Sequence, residues 1–132
     1  MIDAIPRGIR NCNPGNIRRG QTWQGMADIQ TDPAFIQFRD PRYGIRAIAR
    51  ILETYKKEGV ATIRAAINRW APPNENNTEA YIDAVARAVG VGADEALDLA
   101  AHAPQIIAAI IQHENGQQRY PVETIKDGIA LA

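Results

Sequence analysis

The sequence predicts an all-α domain that begins with an irregular segment. Between residues 43 and 129, five or six segments place apolar side chains at the three-and-four spacing of a helix. None of them carries the long alternation of a strand. Residues 1–42, by contrast, are broken by Asn13-Pro14-Gly15-Asn16, Gly20, Gly25, Pro33 and Pro41, residue types that set or tolerate turn dihedrals. At 132 residues the chain suits one domain, 1–132, with one modest core.

The elements follow in order. Residues 1–42 read as loop, with room for short strands around Trp23 or over 34–38. So long a segment with little regular structure is unusual, and such loops often carry function. A first long helix spans 43–58, with Ile45, Ile48, Ala49, Leu52 and Tyr55 inward. Its wet side carries Glu53 and Lys57, a supportive i,i+4 pair. A short helix over 61–69 buries Ile63, Ala66 and Ile67, and closes before Pro72-Pro73 because a residue ahead of proline resists the α region. Thr78 is a good N-cap for a helix over 79–89, with Tyr81 leading the stripe Ile82, Val85, Ala86 and Val89, and Gly90 as its stop. Further helices are expected over 94–101, over 104–113 with Pro104 at its first position, and over 122–129.

The stretch that carries chemistry is 106–116, IIAAIIQHENG. Ala103, Ile107, Ile110 and Ile111 form an apolar stripe flanked by Ile106. Glu114 is next on it, three residues after Ile111 and four after Ile110. Asn115-Gly116 stops the helix, so this carboxyl lies in the last turn. Burial and the negative end of a helix both disfavour charge on a carboxyl, and a carboxylic acid kept neutral near pH 7 is what a general acid needs. The competing reading is a helix-end glutamate turned out to solvent.

Composition excludes several classes. Lys+Arg and Asp+Glu number 15 each, so the net charge calls for no nucleic acid. Arg7, Arg10, Arg18 and Arg19 make the N-terminal segment locally basic, either as a solvated face or as a contact for an anionic polymer. Cys12 is alone, so no internal disulfide is available. No run approaches the apolar length of a membrane span. His102 and His113 lack metal-ligand spacing, and neither a nucleophilic triad nor a phosphate-binding loop appears. The start, MIDAIPRGIR, has no apolar signal region. Synthesis in the cytoplasm is expected, and action elsewhere requires export, phage lysis or injection.

Together these segments resemble a known superfamily. IIQHENG resembles the I-x-x-E-S-G element of lysozyme-like lytic transglycosylases, whose glutamate is the catalytic acid/base. RNCNPGNIRRGQTWQG, followed by FIQFRDPRYGIRAIARILETY, resembles a region of bacterial glucosaminidases of the same superfamily. There an Asn-rich turn and a Trp-x-Gly lead into a long helix. RWAPPNENNTEAYIDAVAR resembles their later Tyr-bearing helix on the cleft floor. The chain also resembles small phage and prophage lysozyme-like and virion proteins. The Asn-rich turn here precedes the glutamate helix instead of following it, an order that a circular permutation reconciles.

The resemblance implies a lysozyme-like fold and a peptidoglycan glycosidase, either muramidase or lytic transglycosylase, with the glycan strand as partner and no cofactor. Glu114 would protonate the leaving oxygen, Glu75 is the best second carboxylate, and Tyr81 would sit under the sugar or offset positive charge. Asn13, Asn16, Thr78, Asn115 and Tyr120 would contact the substrate, although turn and cap roles fit Asn13, Asn16 and Thr78 as well. Other virion or secretion components are further expected partners. A non-catalytic virion or glycan-binding protein that keeps the fold is the alternative, and a DNA-associated helical protein is a third.

Overall fold

The computed structural model describes residues 5–74 and 76–132. Among these residues it contains helices α1 (Arg7–Arg10), α2 (Pro41–Lys57), α3 (Ile63–Trp70), α4 (Thr78–Val89), α5 (Ala103–Asn115) and α6 (Val122–Ala130). Pairing of extended chain among the described residues is limited to two isolated antiparallel bridges, Arg18 with Phe35 and Met26 with Phe38. The chain is therefore all-α, and the segment before α2 is irregular apart from the single turn of α1.

α2 is the central helix. Asp40 caps it, accepting from the Arg42 N–H at 2.9 Å, and Pro41 stands at its start. Its buried residues Gly44, Ile45, Ala47, Ile48, Ala49 and Leu52 cover more than one stripe, because two bodies of structure lie against it. Ile45, Ile48, Ala49 and Leu52 join the main core with Ile63, Ile67, Tyr81, Ile82, Ile106, Ile107, Ile110 and Ile111. Ala47 turns into a smaller cluster with Ile36 and Phe38 from the N-terminal segment. α6 lies on α2, while α3, α4 and α5 pack in succession. On the wet side Glu53 pairs with Arg50 at 3.2 Å.

Two local expectations are corrected. Residues 94–101 form turns, not a helix. The Asp98 carboxylate accepts from the N–H groups of Ala100 and Ala101, and the Leu97 N–H donates to the Ala61 carbonyl. A short acidic side chain thus offers the backbone an alternative to the helical ladder. α4 is capped by Asn77, whose side chain accepts from the Ala80 N–H at 3.2 Å. Thr78 begins the helix, and its hydroxyl donates to the Ala71 carbonyl at 2.6 Å.

Candidate active site

α5 ends at Asn115, and Gly116 takes the left-handed cap at φ 72°, a conformation that suits glycine. This stop leaves Glu114 in the last turn, partly buried, at the edge of a cleft of about 530 Å³. The cleft is lined by Gly15, Asn16, Ile17, Arg18 and Phe35 from the N-terminal segment and by Ile51, Tyr55, Trp70 and Pro72 from α2, α3 and the residues after α3. Among the described residues lining it, Glu114 is the one carboxyl.

Residues far apart in sequence hold that carboxyl. Asn16 Nδ2 donates to Oε1 at 3.0 Å, and the Tyr81 hydroxyl donates to Oε2 at 2.8 Å. Trp70 Nε1 in turn donates to the Tyr81 oxygen at 3.0 Å. Asn16 reaches the site because the turn from Asn13 closes with its own N–H on the Asn13 carbonyl at 2.9 Å and takes φ 50°, a left-handed conformation that asparagine tolerates. Tyr81 is 2% exposed, and its ring stacks on His113 with centroids 3.9 Å apart. Burial first, and then the neighbouring Glu114 charge and hydrogen bond, push its phenol well above the ordinary tyrosine value, so the hydroxyl stays protonated and serves as a donor.

The other sequence-derived candidates fall outside the cleft or in structural roles. Asn13 is fully buried: its amide donates to the Ile17 and Ile36 carbonyls and accepts from the Ile17 N–H. Asn115 donates to the Pro14 carbonyl at 2.8 Å and to the Ile111 carbonyl at 3.0 Å, pinning the N-terminal turn to α5. Thr78 is engaged at Ala71. Tyr120 is not among the cleft residues, its hydroxyl is buried without a hydrogen-bond partner, and burial pushes its phenol up to about 12. Tyr81 lies behind Glu114, not in the cleft lining beneath a sugar. Glu75 lies outside the described residues. Among those described, no cluster of three His, Cys, Asp or Glu side chains is placed to hold a metal.

Trp70 is the site residue that sequence reading missed. It was legible as the next position, after Ile63, Ala66 and Ile67, on the α3 stripe. The basic N-terminal segment also resolves. Arg7 pairs with the buried Asp32 through Nε at 2.6 Å and Nη2 at 2.5 Å, and Arg19 donates to the Asp32 carbonyl. Arg18 lies over the Phe35 ring, 5.3 Å from its centroid, at the cleft. Hydrogen bonds from Arg7, Asn11 and the Ala34 and Phe35 N–H groups hold the Asp32 carboxyl well below the usual carboxylate range.

This is a small helical protein in which, among the described residues, the cleft beside α5 holds a single buttressed carboxyl. No family model matches the sequence. The chain belongs to the family of Protein P5 of Pseudoalteromonas phage PM2. It is 42% identical to that protein over 133 residues, a match taking in 97% of this chain and 82% of that one. The relative ties the family to bacteriophage. No helix among the described residues is long and apolar enough to cross a membrane.

Proposed function

We propose that this protein cleaves the glycan strand of peptidoglycan, with Glu114 as the acid/base, on a circularly permuted lysozyme-like fold. The observation that carries the reading is the Glu114 carboxyl at the cleft, held on both oxygens by Tyr81 and Asn16. The Asn-rich turn and the HENG helix end, 98 residues apart, meet there, which supports the permutation. A positioned carboxyl beside a cleft lined by both polar and apolar side chains suits a sugar chain, because the sugar's faces are apolar and its edges polar.

In the proposed reaction Glu114 gives its proton to the glycosidic oxygen as the bond from that oxygen to the anomeric carbon breaks. Tyr81 and Asn16 then face a carboxylate, and hydrogen bonds to a charged acceptor strengthen as that charge appears. With one carboxyl among the described lining residues, the muramyl 6-hydroxyl is the favoured nucleophile. Its oxygen attacks the anomeric carbon and its proton passes to Glu114, which is restored. The product is a 1,6-anhydro end, the transglycosylase outcome.

The test is turbidity loss of purified peptidoglycan, with mass spectrometry of the digest. Wild type should release 1,6-anhydro-muramyl ends, and Glu114→Gln should lose about 10²–10⁴-fold in rate while remaining folded. Glu53→Gln, on the wet face of α2, should be silent. Reducing ends that vanish in Glu75→Gln would replace transglycosylation with hydrolysis. Equal clearance by Glu114→Gln would end the assignment, and a wild type that binds wall but cleaves none would make the protein a glycan-binding component.

A further inference from the structure

We infer that Trp70 is a positioning residue whose indole N–H fixes the direction of the Tyr81–Glu114 hydrogen bond and so keeps the phenol from taking the acidic proton of Glu114. The catalytic half of this inference rests on the glycosidase reading of Glu114; the geometric half stands without it.

An indole nitrogen donates and cannot accept, whereas a phenol does both with a single hydrogen. Trp70 Nε1 lies 3.0 Å from the Tyr81 oxygen, so at that contact Tyr81 accepts. Its own hydrogen must turn elsewhere, and the partner within reach is Glu114 Oε2 at 2.8 Å. Tyr81 is 2% exposed, so bulk water does not supply an easy substitute. The direction Trp70 to Tyr81 to Glu114 follows from the donor-only group at its head.

The consequence falls on the carboxyl. Each carboxyl oxygen has two lone pairs. Tyr81 fills one on Oε2 and Asn16 Nδ2 fills one on Oε1. A proton on Glu114 therefore occupies one of the remaining lone pairs and is not shared with the phenol oxygen. Without the indole N–H the phenol is free to turn and accept the Glu114 proton. The indole is well fixed for its part: a Cβ on Gly15 would stand 3.1 Å from Trp70 Cη2, so the turn bearing Asn16 closes against the ring.

Trp70 also lines the cleft, which makes a sugar-stacking surface the rival role, and the experiment separates the two. Trp70→Phe, Tyr81→Phe and the double variant are assayed on purified peptidoglycan. A residue acting only through the Tyr81 hydroxyl gives non-additive losses. Trp70→Phe should lower kcat about three- to tenfold, the size of one neutral hydrogen bond, at unchanged KM, and the double variant should match Tyr81→Phe. Additive losses, or a loss confined to KM, overturn the positioning role. The indole N–H resonance of Trp70, told from that of Trp23 by its absence in Trp70→Phe, reads the geometry without any activity. It should move upfield in Tyr81→Phe, and a resonance that stays in place overturns the bond. A wild type that cleaves no wall removes the glycosidase reading and the catalytic half together, while the indole resonance still decides the geometric half.

Discussion

Gly8→Ala tests how tightly the N-terminal segment is keyed to the site. Gly8 is buried in α1, and a Cβ there would lie 2.6 Å from Asn115 Oδ1, 2.7 Å from Asn16 Oδ1 and 2.9 Å from the Asn13 carbonyl. These contacts are several tenths of an ångström too short, and none of the three oxygens sits on a loose side chain. Asn16 is tied to Glu114, Asn115 to Pro14 and Ile111, and the third oxygen is backbone. Alanine gains roughly 0.4–1 kcal/mol over glycine by restricting the unfolded chain. Overpacking costs about 1–3 kcal/mol, and displacing the Asn16 amide from the Glu114 carboxyl adds roughly 0.5–1.5 kcal/mol. The clash therefore outweighs the entropy gain. A net destabilisation of about 1–3 kcal/mol should lower Tm by roughly 4–12 °C in a domain of this size. The assay is thermal unfolding followed by far-ultraviolet circular dichroism, with Gly92→Ala as control. A Cβ at Gly92 meets nothing closer than 3.7 Å, so that variant should match wild type or exceed it slightly. Gly8→Ala melting within about 2 °C of wild type would refute the close packing of Gly8 against the two asparagines, since it falls below the net cost worked out from the clash and the lost hydrogen bond.

Two further outcomes follow from single residues. The Asp32 carboxyl is held below its ordinary value, chiefly by Arg7, so it contributes stability above the unfolded value near 3.9 that is lost as pH falls from about 4 toward the lower folded value. Tm measured from pH 7 to pH 2.5 should fall along that limb in wild type, and Asp32→Asn should start lower and fall less steeply; parallel curves would exclude the pairing as a source of acid sensitivity. Tyr120→Phe removes a buried hydroxyl that has no partner, so stability should stay level or rise by up to about 1 kcal/mol in urea unfolding, with wall clearance unchanged; a marked loss of clearance would return Tyr120 to the substrate site.

Periodicity settled the helices because burying one face of a helix leaves its mark at every third and fourth residue. The stripes of α2, α3, α4 and α5 were readable for that reason, as were the Gly90 and Gly116 stops. The same rule placed Glu114 in the last turn of a helix, on its apolar side. It failed over 94–101, where the Asp98 carboxylate and the Ala61 carbonyl take the backbone N–H groups that a helix would need. Hydrogen bonding between distant residues writes no periodic pattern, so only the tertiary structure divided the asparagines. Asn13 closes a buried turn, Asn115 staples that turn to α5, and Asn16, of the same residue type and three positions beyond Asn13, reaches Glu114. The choice of donor to Oε2 was likewise a matter of packing. Trp70 closes α3 and Tyr81 opens α4, and the two side chains meet only because α3, α4 and α5 stack in succession behind the cleft.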